Sequence, residues 1–158
     1  MDKRGPGEVN TPQYVVDASV VAKWVLPGEP YQENAIKLKD DHVLGRVDLC
    51  APAFLVQEVA NALWRAVKLR RLAEEDAQEA LKALNDMRIE LHELDWAQAS
   101  QGLEIACKLN IALYDASYLF LTNKMKARLI TADNKLYETA KGHFEVLHVK
   151  DYVPPNKP

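Results

Sequence analysis

Four acidic residues stand among neighbours that offer them no cationic partner. Asp17 lies between Val16 and Ala18, Glu58 between Gln57 and Val59, Asp115 between Tyr114 and Ala116, and Asp133 between Ala132 and Asn134. Most other acids fall in charge runs such as 74–76 or beside lysines. Stripping water from a lone carboxylate costs several kcal/mol even after the protein relaxes, so each must find hydrogen-bond donors or hold a cation. Carboxylates packed together bind protons more tightly unless a cation intervenes. A set made only of oxygens, without His or Cys, suits Mg²⁺ or Mn²⁺. Such an ion activates water and steadies the leaving oxygen in phosphodiester cleavage. Each acid also has a plainer explanation. Asp133 suits the cap of a following helix, Asp115 a helix N-terminal turn and Glu58 an exposed helix face. Asp17, next to two valines, is the hardest to dismiss.

The elements that must position these residues follow from periodicity. Residues 14–17 read as a buried strand, because a short β-branched run favours extended backbone with both faces covered. Asp17 ends that strand, and 18–26 carries apolar residues at helical spacing, with Ser19 a candidate cap. Helices are expected over 31–43, 54–69, 74–87, 112–125 and 134–141. Asp95 and Gln98 have the layout of a capping box opening another helix, which runs to Leu109. Strands are expected over 48–51, stopped by Pro52, over 90–94 with one face covered, over 128–131 and over 144–149. The pair Asp40–Asp41 reads as a solvated face. The order β-α-α-β-α-α-β-α-α-β-α-β implies a largely parallel, roughly five-stranded sheet with helices on both faces, a three-layer α/β/α sandwich. Ligands of such sheets collect beyond the strand C-termini, where strand order reverses. Asp17 and Asp133 each fall just after a strand, on that edge.

Totals bound the answer. The chain has 158 residues, enough for one domain with a full core. We divide it into a leader at 1–12, a domain at 13–150 and a proline-rich tail at 151–158. A net charge of −3 argues against a general nucleic-acid coat, yet leaves room for an acidic site flanked by local basic patches. Cys50 and Cys107 both sit in apolar runs and read as buried free thiols, not a disulfide framework. No apolar run approaches the ~20 residues of a membrane span, and the polar N-terminus is unlike a signal peptide. A cytoplasmic protein without a membrane partner is expected.

Four blocks carry a family resemblance: Val15–Val16–Asp17–Ala18–Ser19, Glu58–Val59–Ala60–Asn61–Ala62–Leu63, Tyr114–Asp115–Ala116–Ser117–Tyr118–Leu119 and Thr131–Ala132–Asp133–Asn134–Lys135–Leu136. In that order and spacing, over about 13–150, the chain resembles a PIN domain of the VapC type, the toxin nuclease of toxin–antitoxin pairs. The resemblance implies an α/β/α sandwich that gathers Asp17, Glu58, Asp115 and Asp133 into one Mg²⁺/Mn²⁺ pocket for endonucleolytic RNA cleavage. It also implies that Ser19, Thr131 and Asn61 support the metal shell, that a cognate antitoxin protein binds, and that the chain forms a homodimer. The leader and the tail depart from the family's pattern.

RNA needs cations along its path. Arg65, Lys68, Arg70 and Arg71 are the candidate RNA-binding residues, with the run 124–128 and Lys23 as further candidates, although cations near a helix C-terminus are favoured by its dipole in any case. Trp24, Val25 and Leu26, with Phe54 and Leu55, are either core or the lining of a groove for an antitoxin segment. Three other readings compete: a PIN nuclease of RNA processing or decay, a catalytically inactive PIN binding module, and a phosphoacceptor domain. The last resembles response-regulator receivers, which want an adjacent acidic pair after the first strand; Val16 stands where the second acid would be.

Overall fold

A computed structural model describes residues 10–156. Its strands are β1 (Gln13–Val16), β2 (Asp48–Pro52), β3 (Glu90–His92), β4 (Arg128–Thr131) and β5 (Val146–His148). Its helices are α1 (Ala18–Val25), α2 (Gln32–Val43), α3 (Leu55–Lys68), α4 (Glu74–Asp86), α5 (Trp96–Leu109), α6 (Leu113–Met125) and α7 (Asn134–Ala140). All four strand pairings are parallel, in the order β3-β2-β1-β4-β5. The expected α/β sandwich is therefore the observed fold. The chain builds outward from β1 to β3, then returns and builds β4 and β5 on the other side. The switch point lies between the C-terminal ends of β1 and β4, where a crevice must open.

β1 is central because Val15 and Val16 lose all exposure, each contributing about 1.5–3 kcal/mol of apolar burial. Val15 and Val16 stand opposite Leu129 and Ile130 of β4, and Val15 opposite Cys50 of β2. On α3, Leu55, Val59, Leu63 and Ala66 recur at helical spacing and form its buried face. That face fixes which residues α3 turns outward. The capping box of α5 forms as expected: Asp95 Oδ1 accepts from Gln98 N at 2.8 Å, and Gln98 Oε1 accepts from Asp95 N at 3.1 Å.

Several expectations need correction. Ser19 caps nothing; Asp17 holds the N-cap position of α1, with no side-chain cap bond. Cys107 is exposed, because it lies on the outward side of α5, whereas Cys50 is buried and its thiol is pushed up to about 12 by burial and by Glu90 and Asp48. β3 and β5 are shorter than the expected 90–94 and 144–149, and Leu91 of β3 is exposed. The expected leader, 1–12, lies mostly outside the described residues, although Pro12 O accepts from Asp48 N and so extends the β1–β2 pairing.

The pair Asp40–Asp41 is not a solvated face. Asp41 is 3% exposed; its Oδ2 accepts the Tyr152 hydroxyl at 2.6 Å and its Oδ1 faces the Arg46 guanidinium at 3.2 Å. These bonds tie Tyr152 and α2 together across the chain. Removing one donor leaves a buried charge short of a partner, and hydrogen bonds to charged groups are worth about 1.5–3 kcal/mol. Tyr152→Phe is therefore expected to lower the unfolding free energy by about 1–3 kcal/mol in a urea titration, with m unchanged. A midpoint equal to that of the parent chain would show this tether to be idle.

Candidate active site

Asp17 stands one residue beyond the last paired residue of β1, and its N–H still reaches Ile130 O at 3.0 Å, so the ladder with β4 continues through it. Its side chain is 6% exposed. Oδ2 accepts two hydroxyls, Ser19 Oγ at 2.7 Å and Thr131 Oγ1 at 2.8 Å. Each hydroxyl is fixed from behind by the loop after β4: Ala132 N donates to Ser19 Oγ at 3.0 Å and Asp133 N donates to Thr131 Oγ1 at 3.0 Å. A hydroxyl has one proton. Because both oxygens receive backbone N–H groups, both protons are committed to Asp17. Ser19 and Thr131 thus act as a pair of struts between the first strand, the first helix and the β4–α7 loop.

The other acids arrive from three directions. Glu58 sits in the first turn of α3, half-buried, and its Oε1 accepts the Tyr118 hydroxyl at 2.8 Å. Asp115 sits half-buried in the first turn of α6. Asp133 is exposed and caps α7 through Oδ1, which accepts from Leu136 N at 3.0 Å. Capping and membership of the acidic group are compatible, because the cap occupies one oxygen.

Mutual proximity is legible in the electrostatics. Asp17 is held above the usual carboxylate range, chiefly by burial, with Asp133 adding repulsion and the two hydroxyls offsetting part of it. Glu58 is raised by burial and by Asp17 and Asp115, against the Tyr118 bond. Asp115 is raised to about 6 by burial, Asp17 and Asp133, with Lys135 opposing. The sequence-predicted acids therefore share one field at the switch point. Among the described residues, no three His, Cys, Asp or Glu side chains stand close enough together to hold a metal ion between them. Like charges keep such groups apart, and a water-rich Mg²⁺ needs only one or two direct carboxylates. The donor chemistry fits a hard divalent cation: carboxylate oxygens only, with burial and mutual repulsion raising Asp17, Glu58 and Asp115 and a lysine tempering Asp115.

Tyr118 is the member that the sequence did not single out. It is fully buried and lies one turn after Asp115 on α6. Phe54 packs edge-on against both Tyr118 and Tyr114. The signal was present as an i, i+3 pair but is indistinguishable from a core aromatic without knowing where Glu58 falls. Asn61 is exposed and lies beyond Glu58 on α3. Arg65 and Lys68 lie in the last turn of α3, and Arg70 and Arg71 just past it. The run 124–128 ends at the start of β4, at the opposite edge of the sheet from Asp133, and so cannot serve this site. The groove expected from Trp24 and Phe54 is not formed by them: Trp24 donates its indole N–H to Ala35 O at 2.8 Å, and Phe54 is committed to the two tyrosines. An apolar cleft of about 200 Å³ does form, and Leu55 lines it as expected, together with Val56 and Val59 of α3, Leu81 and Leu84 of α4, and Leu91 of β3.

A parallel sheet with a carboxylate centre at its switch point is common to several classes of α/β protein, and comparison narrows the choice. The PIN domain family model matches residues 14–142, and the chain belongs to that family. It is 30% identical to ribonuclease VapC3 of Pyrobaculum aerophilum over 125 residues, covering 78% of this chain and 92% of the relative. Exonuclease VapC9 of the same organism is 25% identical over 135 residues, covering 85% and 90%. Among solved structures, PAE2754 from Pyrobaculum aerophilum aligns with a TM-score of 0.63 at 24% identity, over 88% of this chain and 92% of that one. FitAcB from Neisseria gonorrhoeae aligns with a TM-score of 0.60 at 16% identity, over 88% and 99%. At those identities the structures speak for the fold.

The raised Asp115 has a consequence for stability. Between its ordinary value of 3.8 and about 6, the folded chain binds more protons at this residue than the unfolded chain does. Stability then falls as pH rises through that window, and above it the cost is fully present. A tenfold change in proton affinity corresponds to about 1.4 kcal/mol, and partial exposure of Asp115 reduces what reaches stability. Asp115→Asn should therefore stabilise the metal-free chain by about 1–2 kcal/mol at pH 7.5. At pH 4.5 the benefit should shrink to less than half. Urea titrations of both chains in EDTA at the two pH values measure this, and an equal effect at both would mean that Asp115 carries no strain of charge.

Proposed function

We propose that this chain is a Mg²⁺- or Mn²⁺-dependent endoribonuclease and the toxin of a toxin–antitoxin pair. The observation that carries the proposal is the convergence of Asp17, Glu58, Asp115 and Asp133 into one field where the strand order reverses. Similarity to proteins named ribonuclease VapC3 and exonuclease VapC9 supports nuclease chemistry. Similarity to a VapC protein supports a cognate antitoxin as partner. A homodimer in the cytoplasm completes the proposal. No described helix is long and apolar enough to cross a membrane, and free Cys50 and Cys107 suit a reducing compartment.

In this reading Asp17, Glu58, Asp115 and Asp133 hold the cation, with Asp17 as the most fixed. Once bound, the cation supplies water activation and charge stabilisation on the phosphodiester. Hydrolysis adds water to phosphorus and releases a sugar hydroxyl, leaving one new terminal phosphate. Ser19 and Thr131 keep Asp17 in a single rotamer, and Tyr118 does the same for Glu58. Asn61, one turn beyond Glu58, lines the cleft that leads away from the centre. Asp133 is exposed, and the cleft runs from Glu58 past Asn61 to Arg65, so a strand has surface to follow beyond the centre. That favours an internal cut over the exonuclease mode named for VapC9.

Three outcomes are expected. Asp17→Asn and Asp115→Asn should each reduce cleavage of an unstructured RNA in Mg²⁺ by at least about a hundredfold, and should abolish the growth arrest caused by expressing the parent chain in a bacterial host. Parent-like cleavage by both variants would end the nuclease reading. Mn²⁺ at about a hundred times its Kd should raise the unfolding free energy of the parent chain by about 2.7 kcal/mol, and Asp17→Asn should cut that increment by more than half. Tyr118→Phe, with fold checked by circular dichroism, should lower kcat about tenfold while leaving KM within about threefold, because it frees Glu58 without touching the substrate path.

A further inference from the structure

The centre does not stop at its acids. A cleft of about 200 Å³ leads from Glu58 between α1 and α3, with Ala18 and Ala22 on one wall and Glu58, Asn61, Ala62 and Arg65 on the other. The alanines keep it open; longer side chains at those three positions would fill it. Glu58, Asn61, Arg65 and Lys68 follow one another along α3 at intervals of three, four and three residues, so they form one outward stripe. The helix rise puts Arg65 about 10 Å and Lys68 about 15 Å beyond Glu58. The stripe therefore passes from acid, through a neutral amide, to two cations. Among the described residues no ion pair engages Arg65 or Lys68. Trp64, 56% exposed, lies beside the far end, with Lys68 Nζ 5.1 Å from its ring centre.

We propose that the α1–α3 cleft is a subsite for single-stranded RNA, in which Asn61 faces an unstacked base next to the cut, Arg65 grips the following phosphate and Trp64 stacks a base beyond it. The proposal rests on the nuclease reading and adds the residues that hold the strand and the direction of its path. Charge complementarity selects the occupant. A polyanion is repelled by the bare acids and attracted by the cations about two and three turns further on, which sets its register on α3. The walls select the strand state. Bases in an A-form duplex face inward and cannot enter a cleft between two helices without unpairing, whereas an unstacked strand presents its base edges freely. An amide such as Asn61 offers both a donor and an acceptor to such an edge. An exposed indole gives the sequence-tolerant stacking platform common in single-strand binding.

The test uses Asp115→Asn as a non-cleaving background in Mg²⁺, with its fold checked by circular dichroism. Fluorescence anisotropy follows a labelled, unstructured RNA dodecamer and the same sequence annealed to its complement. The single strand is expected to bind at least tenfold more tightly than the duplex. Adding Arg65→Ala should weaken single-strand binding about tenfold and reduce the slope of log K against log salt by about 0.7, the value for one phosphate contact on a single strand. Arg65→Lys should restore the slope. Trp64→Ala should weaken binding fivefold or more without changing the slope. In the active chain, Arg65→Ala should raise KM with kcat within about threefold. Equal affinity for duplex and single strand, an unchanged slope in Arg65→Ala, or no binding of the single strand overturns the proposal while leaving the nuclease reading to its own cleavage test. Conversely, a parent chain that cleaves nothing in Mg²⁺ or Mn²⁺ ends the nuclease reading, whatever the anisotropy gives.

Discussion

The carboxylate of Asp17, fixed by two hydroxyls across the junction of β1 and β4, is the constraint on which the rest of the site depends. Its position is set by the central strand of the sheet, and its rotamer by Ser19 and Thr131. Those hydroxyls are oriented in turn by the backbone N–H groups of Ala132 and Asp133. The same short loop therefore presents the Asp133 side chain and holds the Asp17 side chain. Two acids that belong to different strands are referenced to one backbone, so their separation does not depend on either side chain alone.

The cost of this arrangement is electrostatic. Burial raises Asp17, Glu58 and Asp115 together, and the carboxylates of the group raise one another further. Hydroxyl donors suffice to hold a carboxylate in place but do not cancel its charge, and Lys135 moderates Asp115 alone among the three. The apolar burial of Val15, Val16, Leu129 and Ile130 beneath the site is what offsets the strain, at roughly 1.5–3 kcal/mol for each large side chain. A centre of this kind is least strained when part of its negative charge is neutralised.

Much of this was legible in the sequence, for a definite reason. Strands 14–17 and 128–131 announce themselves by β-branched and aliphatic runs, and the acids that follow them are conspicuous because nothing nearby neutralises them. The order of elements then requires a parallel sheet, and a parallel sheet requires a switch point. What the sequence left ambiguous are pairings between side chains far apart in the chain. Ser19 looks like a cap, because a serine at a helix start usually is one; only the arrival of Ala132 N makes it a strut. Asp41 looks solvated beside Asp40 until Tyr152 comes back to meet it. Tyr118 has the pattern of a core aromatic, and its hydroxyl acquires a purpose only from Glu58. Cys107 misled in the opposite sense, since an apolar run on an edge helix does not say which of its residues faces out.

Asp133 illustrates why function and architecture are hard to separate in such a fold. An aspartate after a strand and before a helix is the ordinary way to satisfy a free N–H of the first turn, and Oδ1 does that for Leu136. Yet the same position lies at the C-terminal edge of the sheet, where parallel strands deliver every such residue to one rim. A helix cap on this rim is oriented by its backbone bond, so its second oxygen is pre-positioned without a dedicated support. Asp17, by contrast, makes no cap bond despite holding the N-cap position of α1. Its freedom from capping leaves the side chain to the two hydroxyls, and the first turn of α1 forgoes a side-chain acceptor as a result. One acid is thus fixed by the local helix and the other by distant partners; the pair is rigid because the two mechanisms meet in the loop that carries Ala132.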